Sequence, residues 1–226
     1  MSANGAGDGR AALSAAIASR RRAGMVSGLR NLARTPPKAG GPQPEGESCE
    51  LCHVGVPEDH RHMLNLELRQ IVCVCESCWA RRSGDVEFRP VGSRTLLLED
   101  FRMPDDLWAN FQIPIGLAFF LHSSVTECVV AMYPSPAGAT ESELRFDTWN
   151  ELKAINPVLD DLEPDAEGLI VNRLSDPPAF LIAPIDRCYM LVGLLKANWE
   201  GISGGPGVTR AVEEFFADLR ATSVPA

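Results

Sequence analysis

The alternation of apolar and polar positions, interrupted by clusters of proline and glycine, divides the chain into three stretches. Residues 1–48 sustain no pattern for long. Positions 1–10 are small and polar and predict disorder. Leu13, Ile17, Leu29 and Leu32 then recur among alanines and arginines and predict partial helix, which Gly24 and Gly28 each weaken by about 1 kcal/mol. Residues 35–48 are rich in Pro and Gly and predict a linker.

From residue 49 the runs shorten. Segments 62–68 and 70–75 predict a strand pair, and 86–90 and 94–99 a second pair joined by Val91, Gly92 and Ser93. Pro104 ahead of Asp105 and Asp106 opens a short helix. Segments 116–123 and 127–133 predict a hairpin. Leu117, Phe119 and Leu121 fall on one face of its first strand and Ala118, Phe120 and His122 on the other, so that strand is an inner one covered on both sides. Residues 134–140 predict a loop. Thr148 with Glu151 has the form of a capping box, starting a helix that ends near Asn156 and Pro157. Segments 168–173 and 179–183 predict another strand pair, separated by an Asp176-Pro177-Pro178 turn. Asp186 then caps a helix running to Trp199, apolar nearly all round and hence expected at the centre of the body. After a glycine-rich connection at 201–207, Val212, Phe215, Phe216 and Leu219 form the stripe of a last helix. The fold class expected is α+β: a disordered or partly helical tail (1–48), a zinc-ribbon-like hairpin module (49–85), and a mixed α+β domain (86–226) with antiparallel strands and two C-terminal helices.

The chemistry concentrates in the middle stretch. Five of the seven cysteines and three of the four histidines lie between residues 49 and 79. Cys49 and Cys52 form one C-x2-C pair and Cys75 and Cys78 a second, with a hairpin-length spacer between them. Each pair turns two sulfurs toward one point, and the hairpin brings the pairs together around a tetrahedral ion with Zn–S distances of about 2.3 Å. Four-cysteine ligation of zinc is the expectation, with iron as the alternative because a tetrahedral four-sulfur site suits either metal. Cys73 is placed to substitute for Cys75 or to lie beside the metal, and His53, just after the first pair, to replace a thiolate. His60 and His62 read as solvated residues where the strand begins, and Cys128 and Cys188 as core thiols. His122 reads as a core or edge residue.

Charge is distributed unevenly. Of a net −9, residues 1–48 carry seven Arg or Lys against three Asp or Glu, and residues 91–226 carry nine against twenty. A body this acidic repels a phosphate backbone, so no nucleic-acid partner is expected. The acids at 160–165 read as a solvated connector, without the spacing of a calcium loop. There is no apolar run near membrane length, and the arginines at 20–22 are not followed by a signal-like segment; a cytoplasmic protein with reduced cysteines is expected.

The succession C-x2-C, EDHRH, C-x-C-x2-C, FFLHS, YPSPAGATES, NPVL and a closing Gly-Gly…Phe-Phe segment resembles an uncharacterised bacterial family of unknown function, over roughly residues 48–221. The resemblance implies genes neighbouring nickel–iron hydrogenase operons, and it carries no catalytic residue. No nucleophile–base pair or phosphate loop stands out either. The expectation is therefore a non-catalytic, metal-stapled accessory or assembly protein for a redox enzyme such as a nickel–iron hydrogenase. A rubredoxin-like iron electron carrier is the alternative, against which stand His53 and Trp79 where such knuckles usually carry glycine.

Overall fold

A computed structural model describes residues 46–226 apart from 69, 143, 145, 202 and 203. The expectations of disorder over 1–10, of partial helix from there to residue 34, and of a linker up to residue 45 lie outside the described residues.

The first part of the described chain is a small antiparallel sheet. β1 (Arg61–Asn65) and β2 (Gln70–Val74) form the expected hairpin, and α1 (Glu76–Arg82) follows directly. β3 (Phe88–Pro90) pairs with β1, giving the order β2-β1-β3. The pairing expected between 86–90 and 94–99 is thus not made. Instead β4 (Leu96–Leu97) crosses to the second sheet, where it pairs with Leu181 and Ile182. Two adjacent short runs are compatible with a hairpin on pattern alone; here both have better partners elsewhere.

The second sheet has seven strands. After α2 (Asp105–Asn110) come β5 (Leu117–Ser123), β6 (Cys128–Ser135) and β7 (Gly138–Ser142). The segment expected as a loop at 134–140 is thus mostly strand. Its turn is tight, with Gly138 at a φ of 111° and Ser135 Oγ donating to the Gly138 carbonyl. α3 (Phe146–Ile155) starts ahead of Thr148, which is buried inside the helix and does not cap it. A 3-10 turn (Pro157–Asp161) leads to β8 (Glu167–Asn172) and β9 (Ala179–Pro184). α4 (Ile185–Asn198), α5 (Gly205–Thr222) and β10 (Val224–Pro225) complete the chain. The strand order is β10-β4-β9-β8-β5-β6-β7, antiparallel except where β10 joins β4.

The alternation of β5 sets the layers. Leu117, Phe119 and Leu121 face α4 and α5, packing with Leu191, Leu195, Phe215, Phe216 and Leu219. Ala118 and Phe120 face the other way, onto Phe111, Trp149, Leu152 and Leu159. The sheet is covered on both faces, as its unbroken apolar strands require.

α4 departs from the expected central helix. Ile185, Cys188, Leu191, Val192 and Leu195 are buried, while Met190, Gly193 and Lys196 face solvent, so it is amphipathic and lies on one side of the sheet. Asp186 is not its cap; Pro184 precedes the first turn and the Asp186 carboxylate points toward the small sheet. The acidic run is only partly a solvated connector. Asp160 pairs with Lys153 and Glu163 with Arg89, and Asp165 is buried, accepting the Ser124 N–H.

The small sheet packs against the body through one of its faces. Leu64, Leu66 and Ile71 enter the core beneath α4, the Val91 N–H donates to the His62 carbonyl, and Arg94 grips the buried Glu167 with two N–H groups.

Candidate metal centre

The first C-x2-C pair lies on a closed turn. Ser48 and Gly55 bridge across its base, the Cys49 N–H donates to the Val54 carbonyl and the His53 N–H to the Cys49 carbonyl. His53 adopts a φ of 62°, a left-handed conformation that tightens the turn. Glu50 fastens this turn to β2, its N–H donating to the Cys73 carbonyl and its carboxylate accepting the Cys73 N–H. The second pair opens α1. Cys75 is the N-cap, and its sulfur accepts the Cys78 N–H at 3.5 Å, so that Cys78, one turn on, faces the same point.

These two turns bring the Cys49, Cys52, Cys75 and Cys78 sulfurs within 4.8 Å of one another. Cys52 and Cys75 are 3.7 Å apart. A regular tetrahedron with metal–sulfur bonds of about 2.3 Å has edges of about 3.8 Å, so the spacing fits a four-thiolate ion. Cys49 is buried and Cys52 exposed, so the cluster has one side toward the module's interior and one toward solvent.

The electrostatics point the same way. Burial raises the Cys49 thiol, but backbone N–H groups of Cys75, Cys52 and Leu51 outweigh it and bring the value down to about 6. The Val54 N–H lowers Cys52, as does the Cys78 sulfur, yet the Cys49 sulfur, burial and the Cys75 sulfur leave it raised overall. Cys78 is pushed up to about 12, first by Cys52, then by burial and the remaining sulfurs. Without a cation one thiolate holds its neighbours protonated. A divalent ion relieves that repulsion and lets all four ionise. The chemistry of the donor set therefore fits a metal such as zinc.

The two candidate substitutes are elsewhere. His53 is exposed on the turn, outside the sulfur cluster. Cys73 lies on β2 opposite His62, grouped with His60 and His62. Those histidines are not the solvated residues expected. The His60 side chain is 4% exposed, and His62 Nδ1 is 2.8 Å from Asp186 Oδ2. Asp186 foremost, then Cys73, raise His62 to about 10. The signal that could have found this group is the two-residue spacing of both pairs; what was missing was the arrival of α4 from far along the sequence. Of the remaining residues, Cys188 is buried in the core, where burial and then Asp186 push its thiol up. Cys128 is half-buried beside Thr126. His122 and Cys128 line a cleft of about 350 Å³ with Trp149, Lys153 and Asp160.

A family model described as a family of unknown function, DUF5947, matches residues 48–223. The chain belongs to that family. The match begins one residue before Cys49 and ends one residue after α5, so it takes in the small sheet and every strand of the larger one except β10. Comparison with curated proteins and with solved structures finds no match. Among the described residues no helix is long and apolar enough to cross a membrane.

Proposed function

We propose that the protein is a non-catalytic accessory protein that assembles or holds a redox enzyme such as a nickel–iron hydrogenase, with zinc stapling its N-terminal module. The observation that carries the structural role of the metal is the size of the module's own core. Its buried cluster is Cys49, Met63, Val74 and Phe88, so one of the four buried residues is itself a metal ligand. The face of the sheet that carries the cysteines has too little apolar content to hold the two cysteine turns without a staple, and ligand binding to the metal then becomes folding free energy. The acidic body supports the docking role, since it offers a basic partner a complementary field. The resemblance to a family encoded beside hydrogenase operons supports the class of partner.

Metal analysis and an absorption spectrum of protein purified from its native host test the staple. A colourless, zinc-containing protein is expected. A red, iron-containing protein would replace this reading with the electron carrier. Co-purification with hydrogenase subunits tests the partner, and its absence in cells expressing the hydrogenase would overturn the accessory role.

A further inference from the structure

A second group of donor side chains lies on the other face of the small sheet from the four cysteines. His62 and Cys73 are directly paired across β1 and β2, so their side chains leave the sheet on the same side. Leu64 and Ile71, the next pair on that side, pack into the body core. Met63, Val72 and Val74, on alternate positions, pack with Cys49. His60 joins His62 at the strand's start, with ring centroids 4.7 Å apart and planes at 67°. One ring nitrogen of each histidine and the Cys73 sulfur lie within 4.8 Å of one another.

Hydrogen bonding determines which nitrogens are available. His60 Nδ1 is 2.9 Å from the Pro57 carbonyl oxygen, which can only accept, so Nδ1 carries the proton. Glu47 Oε2, 3.4 Å from the same nitrogen, reinforces that choice. His60 Nε2 is left buried with no hydrogen-bond partner, on a side chain that is 4% exposed. A polar atom in that condition calls for an occupant. His62 Nδ1 donates to Asp186 Oδ2, leaving its own Nε2 toward Cys73. One ring N–H given to a carbonyl or carboxylate, with the other nitrogen turned to a common point, is how ligating histidines are held.

We propose that His60 Nε2, His62 Nε2 and Cys73 Sγ form a second metal site, for a divalent transition-metal ion of the zinc class, at the junction between the metal module and the first turn of α4. Two imidazoles and a thiolate select zinc, cobalt, nickel or copper over magnesium or calcium. Three protein donors leave the fourth tetrahedral position to water or an exogenous donor, the form of an exchangeable rather than a closed site. Coordination releases the His62 Nε2 proton and the Cys73 thiol proton to solvent and forms the metal–sulfur and metal–nitrogen bonds in their place. Because Asp186 orients His62 from the body, the ion also ties the two sheets together. The site stands whichever metal fills the four-cysteine cluster.

The test is cobalt titration of the full-length protein, stripped of metal and kept reduced, followed by X-ray absorption of the zinc-saturated form. The wild type is expected to take up a second equivalent after the four-thiolate bands saturate, and its zinc spectrum to contain nitrogen as well as sulfur scattering. His60→Gln and Cys73→Ser should each lose the second equivalent while keeping the four-thiolate bands. Saturation of the wild type at one equivalent with sulfur-only scattering would overturn the proposal, leaving His62–Asp186 as an ion-pair clamp alone. Retention of both equivalents in both variants would overturn it too. Should a variant fail to fold, the wild-type stoichiometry and scattering decide by themselves.

Discussion

At the scale of single residues, the four-cysteine cluster makes a prediction about protons. Cys52 and Cys78 are raised in the metal-free chain, so both are thiols at neutral pH and must give up their protons to bind. Metal binding at pH 7 should release about two protons or more per ion, and affinity should fall as pH falls. Calorimetry in buffers of different ionisation enthalpy measures this; a buffer-independent heat would contradict it. Gly168 makes a steric prediction. A Cβ there would lie 2.7 Å from both Cys188 Sγ and Leu121 Cδ2 and 3.2 Å from the Phe120 carbonyl oxygen. Gly168→Ala should therefore destabilise by about 1–3 kcal/mol through overpacking, read as a lowered denaturant midpoint with an unchanged slope. The cysteine spacing was legible at this scale because a C-x2-C turn is local. The role of Cys73 was not, because its neighbour His62 is oriented by Asp186, more than a hundred positions away.

At the scale of elements, α4 shows where pattern reading stops. Its sequence is apolar at almost every turn, yet only one side is covered, by the sheet and α5. Leu191→Ala on the covered side should cost about 2–5 kcal/mol, and Met190→Ala on the exposed side about 0.5 kcal/mol or less. Equal losses at the two positions in chemical denaturation would mean that a further partner covers the outer face. β5 was readable because both its faces are apolar and an inner antiparallel strand explains both. β3 and β4 were not, since three- and two-residue strands carry too little alternation to name a partner. The start of α3 was misplaced for a related reason: Thr148 and Glu151 match a capping box in sequence, but the helix is already under way and Thr148 is packed inside it.

At the scale of the whole molecule, the charge of the acidic body belongs to the question of partners. Asp160, one of the acids at 160–165, lines a cleft with Trp149, whose ring is buried against Phe120. Lys153 and Arg89 also neutralise two of those acids. Any steering of a basic redox partner then comes from the body's summed field and should weaken as the Debye length shrinks from about 10 Å at 0.1 M salt to about 3 Å at 1 M. On the accessory role proposed above, hydrogenase subunits captured at low salt should wash off at high salt; retention unaffected by salt would mean an apolar interface instead. The sequence by itself determined the α+β class, the apolar inner strand, the stripe of α5 and the two cysteine turns, because each depends on residues within a few positions of one another. Only the tertiary structure decided that β3 leaves the body for the small sheet, that the sheet is sandwiched between two helical layers, and that His60, His62 and Cys73 meet beside Asp186. Those outcomes rest on contacts between distant segments competing for the same strand edges and core space, and no local pattern records which competitor wins.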